Sequence, residues 1–167
     1  LEDEETVFRI CSDREIAAMT RNIPHPYPRQ RAAEWIAQHP GLWQSGKACI
    51  FAVEEKSSSQ LVAAVGLEID EENQRAELGF WVEKTNWRRG ICTEAAAATL
   101  RFGFESLALH KIQACCLTIN PASGRVLQKI GLRHEGLLRG HLRKWGEFYD
   151  IEVYGLLRSE FLNRGRV

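Results

Sequence analysis

Net charge is the first thing this chain lacks: 22 basic residues face 22 acidic ones among 167. Nothing therefore draws it in bulk to nucleic acid or to an anionic bilayer, and neither is expected as a partner. Glycine-rich phosphate loops are missing too. No such loop ends in Gly-Lys-Ser/Thr, and no Gly-x-Gly-x-x-Gly follows an early strand. A nucleoside-triphosphate P-loop and a dinucleotide fold are thereby excluded. The five cysteines, Cys11, Cys49, Cys92, Cys115 and Cys116, show neither zinc-knuckle nor Cys-x-x-Cys spacing. His110, His134 and His141 show no ligand spacing with acids, so no metal is expected. Cys49, Cys115 and Cys116 lie in apolar, strand-like runs where a reduced thiol behaves as a small core residue. An odd cysteine count, no leader-like opening and no apolar run of membrane length together make the cytoplasm the expected compartment.

The most informative stretch present is Trp87-Arg88-Arg89-Gly90-Ile91-Cys92-Thr93-Glu94-Ala95. It follows a strand-like run, Glu77 to Val82, and opens a helix expected to reach about Leu107. A glycine at a strand-to-helix turn lets the backbone curl close to a ligand with no Cβ in the way. The first helical amides lack internal acceptors and carry the positive end of the dipole. With two arginines ahead of the glycine, the turn makes a seat for a phosphate or pyrophosphate.

A second segment strengthens that reading. Strand-like Lys111 to Ile119 runs into Asn120-Pro121-Ala122-Ser123-Gly124-Arg125-Val126-Leu127-Gln128-Lys129-Ile130-Gly131-Leu132. Asn120 is a good N-cap, Pro121 a good first helical residue and Gly131 a good C-cap, so a short helix is bracketed on local grounds. With these markers, the Glu135-Gly136 pair, Tyr149-Asp150 and Tyr154-Gly155-Leu156-Leu157, the chain resembles the GNAT superfamily of acetyl-CoA-dependent N-acetyltransferases. It is most similar to the RimJ/RimL-type branch, the ribosomal-protein N-terminal acetyltransferases. Two positions depart from the superfamily pattern: Cys92 stands where Gly or Ala is usual, and Leu127 where many members carry a tyrosine proton donor.

The order of elements expected along residues 1–167, read as one domain burying roughly 70 % of its unfolded surface, is βααβββαβαββ. Thr6 to Ile10 reads as a first strand, followed by a short helix to about Arg21 and a second from Arg29 to about Trp43. Ala48 to Val53, Gln60 to Ile69 and Arg75 to Val82 form a meander. The phosphate-turn helix, the Lys111 strand and the Asn120 helix come next, and a hairpin turning at Lys144-Trp145-Gly146 closes the chain. This is a mixed α/β (α+β) arrangement: one twisted, mostly antiparallel sheet of about seven strands flanked by helices. Acids cluster at Glu2 to Glu5 and Asp70 to Glu72, bases at Arg88-Arg89, Arg139 to Lys144 and Arg164 to Arg166. The GNAT resemblance implies that the two central strands splay apart around the acetyl-pantetheine arm. It also implies acetyl-CoA as co-substrate, contacted by Trp81, Val82, Arg88, Arg89, Gly90, Ile91, Cys92, Thr93, Asn120, Ser123 and Lys129. Monomer and homodimer both remain open.

Acetyl transfer to an amine needs a neutral nucleophile, a stabilised oxyanion and a partner for the departing thiolate. A peptide α-amine is about 10 % neutral at pH 7, whereas a lysine amine is neutral at only about 0.04 %. An α-amine therefore asks little of a base. Glu77, an acid among apolar neighbours in Ala76-Glu77-Leu78-Gly79-Phe80-Trp81, is the candidate base, against the alternative of an outward-facing carboxylate paired with a lysine. Ser123 lies one turn after Asn120, on the same face. In the resembling family an Asn here bonds the pantetheine arm and a Ser lies near the thioester sulfur; the alternative for both is helix capping. His25 and Tyr27, in the proline-stiffened His25-Pro26-Tyr27-Pro28 link, are candidate walls of the acceptor pocket beside Glu77. Two classes stay open: an N-acetyltransferase, acting on a protein N-terminus or a small amine (polyamine, amino sugar, antibiotic), and a non-catalytic acyl-CoA-binding module.

Overall fold

The computed structural model describes residues 3–164; Glu2 of the acidic cluster and Arg166 of the basic one lie outside them. Three helices come first: α1 (Glu4–Cys11), α2 (Arg14–Met19) and α3 (Arg29–Gln44). The expected first strand is thus the helix α1. Its buried residues Val7, Ile10 and Cys11 recur at three and four residues, the spacing of a helix face. Glu4 and Glu5 occupy the first turn and Arg9 the last, which suits the helix dipole.

The meander follows as β1 (Ala48–Glu55), β2 (Gln60–Asp70) and β3 (Arg75–Val82). After a 3-10 turn at Lys84–Asn86 come α4 (Ile91–Glu105), β4 (Lys111–Leu117), α5 (Pro121–Ile130), β5 (Arg133–Lys144), β6 (Glu147–Leu157) and α6 (Arg158–Arg164). The described residues form one six-stranded sheet in the order β1-β2-β3-β4-β6-β5, one strand fewer than expected because residues 6–10 are helical. The turn joining β5 to β6 is only Trp145-Gly146, both at positive φ, as a tight two-residue hairpin requires. No helix among the described residues is long and apolar enough to cross a membrane.

Neighbouring strands are antiparallel except β3 and β4. Those two pair in parallel over three rungs only, Arg75↔Lys111, Ala76↔Ile112 and Glu77↔Gln113, and share no rung beyond them. The splay expected at the centre of the sheet is present. α4 covers this centre, burying Ala96, Leu100 and Phe104 in one cluster with Leu67, Leu78, Ile112 and Leu156. Gly103 lets it lie that close: a Cβ there would stand 2.7 Å from Ile112 Cδ1 and 2.9 Å from Leu67 Cδ1. A smaller cluster of Val7, Cys11, Ala32 and Leu61, with Tyr27, Trp35 and Trp81 at its margin, seats α1 and α3 beside the opening between the strands.

Candidate active site

Where β3 and β4 part, a cavity of about 910 Å³ opens, bounded by both strands, the first turns of α4 and α5, and the α2–α3 connection. The end beside α4 is built by backbone. Gly90 caps α4 from the left-handed region (φ 83°), and a Cβ at that position would meet no atom within 4 Å. The first helical bond is Glu94 N to Gly90 O at 3.0 Å, which leaves the amides of Ile91, Cys92 and Thr93 without an acceptor in the helix. Arg88, itself at φ 64°, is exposed and lines the cavity together with Gly90, Ile91, Cys92 and Thr93. Arg89 does not line it. Its guanidinium donates to Glu55 Oε1 at 2.6 Å and to Asn86 Oδ1, bracing the turn from outside. Trp87 Nε1 donates to Val82 O at 3.2 Å and closes the loop back onto β3.

Across the gap, Asn120 caps α5: its Oδ1 accepts from Ser123 N at 3.1 Å, while its Nδ2 donates to Met19 O at 3.0 Å. The Asn120 side chain thus both caps the helix and ties it to α2. Ser123, Leu127 and Lys129 line the cavity, as does Arg125, four residues before Lys129 on the same helical face. That i, i+4 spacing is the signal by which Arg125 could have been found from sequence. Trp81 and Val82 line the part of β3 that has lost its β4 neighbour. Leu127 is fully buried.

Deeper between the strands, Glu77 sits on the last shared rung, and Arg21, from the α2–α3 connection, donates to its Oε1. The partner is an arginine rather than the lysine envisaged in the alternative reading. The pair leaves Glu77 Oε2 with no protein donor among the described residues. Arg21 was not singled out from sequence, because 56 residues separate it from Glu77. Tyr27 lines the cavity and shares a hydrogen bond with Cys11; burial pushes its hydroxyl up to about 12. His25 does not line the cavity. Its ring stands edge-on to Trp145 with centroids 6.1 Å apart.

The cavity thiols are not poised as nucleophiles. Burial pushes Cys92 up to about 12 and Cys116 up to about 11. Cys115 is raised by burial first and by the Glu77 charge second, with Arg21 opposing. Burial of this kind favours the neutral thiol over the nucleophilic thiolate.

The family model described as "Acetyltransferase (GNAT) domain" matches residues 1–133, and the chain belongs to that family. It is 30 % identical over 162 residues to the uncharacterized N-acetyltransferase p20 of Bacillus licheniformis, covering 96 % of this chain and 90 % of that protein. It is 27 % identical over 114 residues to the ribosomal-protein-serine acetyltransferase of Escherichia coli, covering 68 % and 63 %. Among solved structures, a GNAT-family acetyltransferase from Bacillus anthracis superposes with a TM-score of 0.83 at 26 % identity, over 95 % of this chain and 91 % of that one. The spermidine N-acetyltransferase of Vibrio cholerae, in complex with CoA and spermine, gives 0.83 at 22 % identity over 97 % and 94 %. Of the two classes left open by sequence, the enzyme stands: the chain is an N-acetyltransferase of a family whose members use acetyl-CoA.

Proposed function

We propose that the chain acetylates the α-amine of a protein or peptide N-terminus, as RimJ/RimL-type enzymes do, and that residues 1–167 act as one catalytic domain. The observation that carries this reading is the state of the cavity's carboxylates. Of the three that line it, Glu15 is paired with Lys84 and Glu77 with Arg21; Glu68 has no ion pair among the described residues. A polycationic amine needs several unpaired acids, and a lysine amine needs a strong base. An α-amine, about a tenth neutral at pH 7, needs only one acceptor for its proton. Glu77 Oε2 supplies that acceptor, directly or through a water. The E. coli ribosomal-protein-serine acetyltransferase among the relatives supports the same choice. The five free thiols fit a reducing compartment, and the cytoplasm is the proposed location.

The residues fit the co-substrate: Gly90 leaves its Cβ space empty beside three unpaired amides, a cradle for phosphate oxygens. Bound acetyl-CoA supplies the thioester carbonyl that the amine attacks. On the protein side, Arg88, Arg125 and Lys129 offer cations to the phosphates, and the freed edge of β3 from Leu78 to Val82 offers backbone partners to an extended arm. Ser123 hydrogen-bonds the departing sulfur, with solvent delivering the proton. Competition between a free-N-terminus hexapeptide, the same peptide N-blocked and bearing lysine, and spermidine tests the assignment. Faster acetylation of the free N-terminus is expected; equal rates, or preference for spermidine, would overturn the acceptor class and leave the family unchanged.

A further inference from the structure

Lys144, at the end of β5, is 8 % exposed. Its ammonium donates to three backbone carbonyls, those of Ala17, Thr20 and Ile23, the last at 3.2 Å. An ammonium has three N–H donors, and all three are used. The acceptors lie 121 to 127 residues away in the chain and belong to the last turn of α2 and the connection to α3. A helix end presents unsatisfied carbonyls and the negative pole of the dipole, so a cation is suited to that place.

The pinned segment is held otherwise by side chains: Ile23 and Tyr27 pack on the cluster of Val7, Cys11, Ala32 and Leu61, and His25 stands against Trp145. Between Thr20 and Pro28 it contains no helix or strand. Thr20 Oγ1 bonds back to Ile16 O and Ala17 O, and Asn120 reaches Met19 O. Arg21 lies between two of the clamped carbonyls and is the residue that meets Glu77. Its neighbours Thr20, Asn22 and Ile23 line the acceptor end of the cavity.

We propose that Lys144 is a positioning residue of the acceptor site: by clamping the carbonyls on either side of Arg21, it sets the Arg21–Glu77 pair and the wall against which the amine is held. The β5–β6 hairpin tip thereby becomes part of acceptor recognition without touching the acceptor. This rests on reading the Glu77 end of the cavity as the acceptor end.

Lys144→Met keeps most of the stem and removes the donors. Calorimetry should find CoA affinity within twofold of the parent. KM for the acceptor should rise at least tenfold, and exchange of the Thr20 amide, which donates to the clamped Ala17 carbonyl at 3.3 Å, should quicken by a similar factor. In an Arg21→Ala background the same substitution should add less than twofold to that KM, because its route is already cut. Lys144→Arg should not rescue, since a planar fork cannot replace three tetrahedral donors. The kinetic acceptor is whichever of the free peptide and spermidine the parent enzyme turns over. Failure of the peptide alone thus counts against the acceptor class, while the exchange and KM readouts still judge Lys144. Equal KM effects with and without Arg21, or CoA affinity falling in parallel, would overturn the proposal. If Lys144→Met does not fold, Lys144→Gln carries the test; loss of CoA binding in both would show a general stabilising role and overturn it equally.

Discussion

At the proposed cofactor end of the cleft, the helix termini are set by devices acting on backbone within a few residues of themselves, with Asn120 Nδ2 to Met19 O and Arg89 to Glu55 as longer ties. Gly90 opens α4, Asn120 caps Ser123 N, and Gly131 ends α5 from the left-handed region at φ 100°. At the acceptor end, the devices come from far along the chain: Arg21 reaches Glu77 over 56 residues, and Lys144 reaches Ala17 over 127. The first end is made of main-chain amides and helix termini, whose geometry a local sequence dictates. The second is made of charged side chains that find partners only once the sheet has formed. A shared scaffold can therefore keep one co-substrate and change acceptors by altering a few distant side chains.

The largest effect should come from breaking the local end. Gly90→Val forces a β-branched residue into a left-handed conformation, at a cost of about 1–2 kcal/mol. No atom lies within 4 Å of the added Cβ, so the fold should survive with Tm lowered by a few degrees. CoA binding should fall below calorimetric detection, because the space the side chain enters is the one the phosphates need. Retained affinity would place the phosphate seat elsewhere. Next, Ser123→Ala should lower kcat by about ten- to a hundredfold with little change in KM for acetyl-CoA, since a hydrogen bond to the departing sulfur matters in the transition state. Its Tm should stay put, because the backbone amide of residue 123, and not the hydroxyl, takes the Asn120 cap.

Glu77→Gln tests the long-range end. Its loss should be steepest at low pH, where the amine is mostly protonated and an acceptor for its proton counts most, and should shrink as pH rises through about 8. An unchanged pH–rate profile would leave solvent as the only base. The smallest effect separates the two arginines of the turn. Arg88→Ala should weaken CoA binding in a salt-dependent way, whereas Arg89→Ala, which loses Glu55 and Asn86 on the outside, should do so less and without steep salt dependence. Glu55 reports on the same pair: Arg89 holds its carboxyl below the ordinary range, so whatever the pair adds to stability is present above that range and fades as pH falls through the depressed value.

The same contrast explains what could be read in advance. Asn120, Pro121 and Gly131 bracketed α5 from sequence, and the helix runs over Pro121–Ile130. β3 lies where the meander placed it, Arg75–Val82, and the parting of β3 from β4 agrees with the family resemblance. Residues 6–10 misled because a short amphipathic helix and a short alternating strand look alike over five positions; Val7, Ile10 and Cys11 reveal the helix only when the window extends to eleven. Arg21 and Lys144 were beyond reach for a different reason. A lysine near a hairpin tip is ordinarily solvated, and nothing local to it signals that three carbonyls from α2 and the segment after it will surround its ammonium.

The three rungs between β3 and β4 carry a mechanical consequence. β1-β2-β3 and β4-β6-β5 are two half-sheets joined along a short seam, each with a bare flank facing the other across the gap. Bare flanks are ordinarily a feature of a sheet's rim, and a ligand arm laid between them serves as the missing strand. Load along the seam then passes through the ligand as well as the rungs, so the loaded protein should resist pulling across that seam more strongly than the empty one, by an amount that grows with ligand concentration. With acetyl-CoA bound as proposed, the substrate is, for as long as it stays, a structural member.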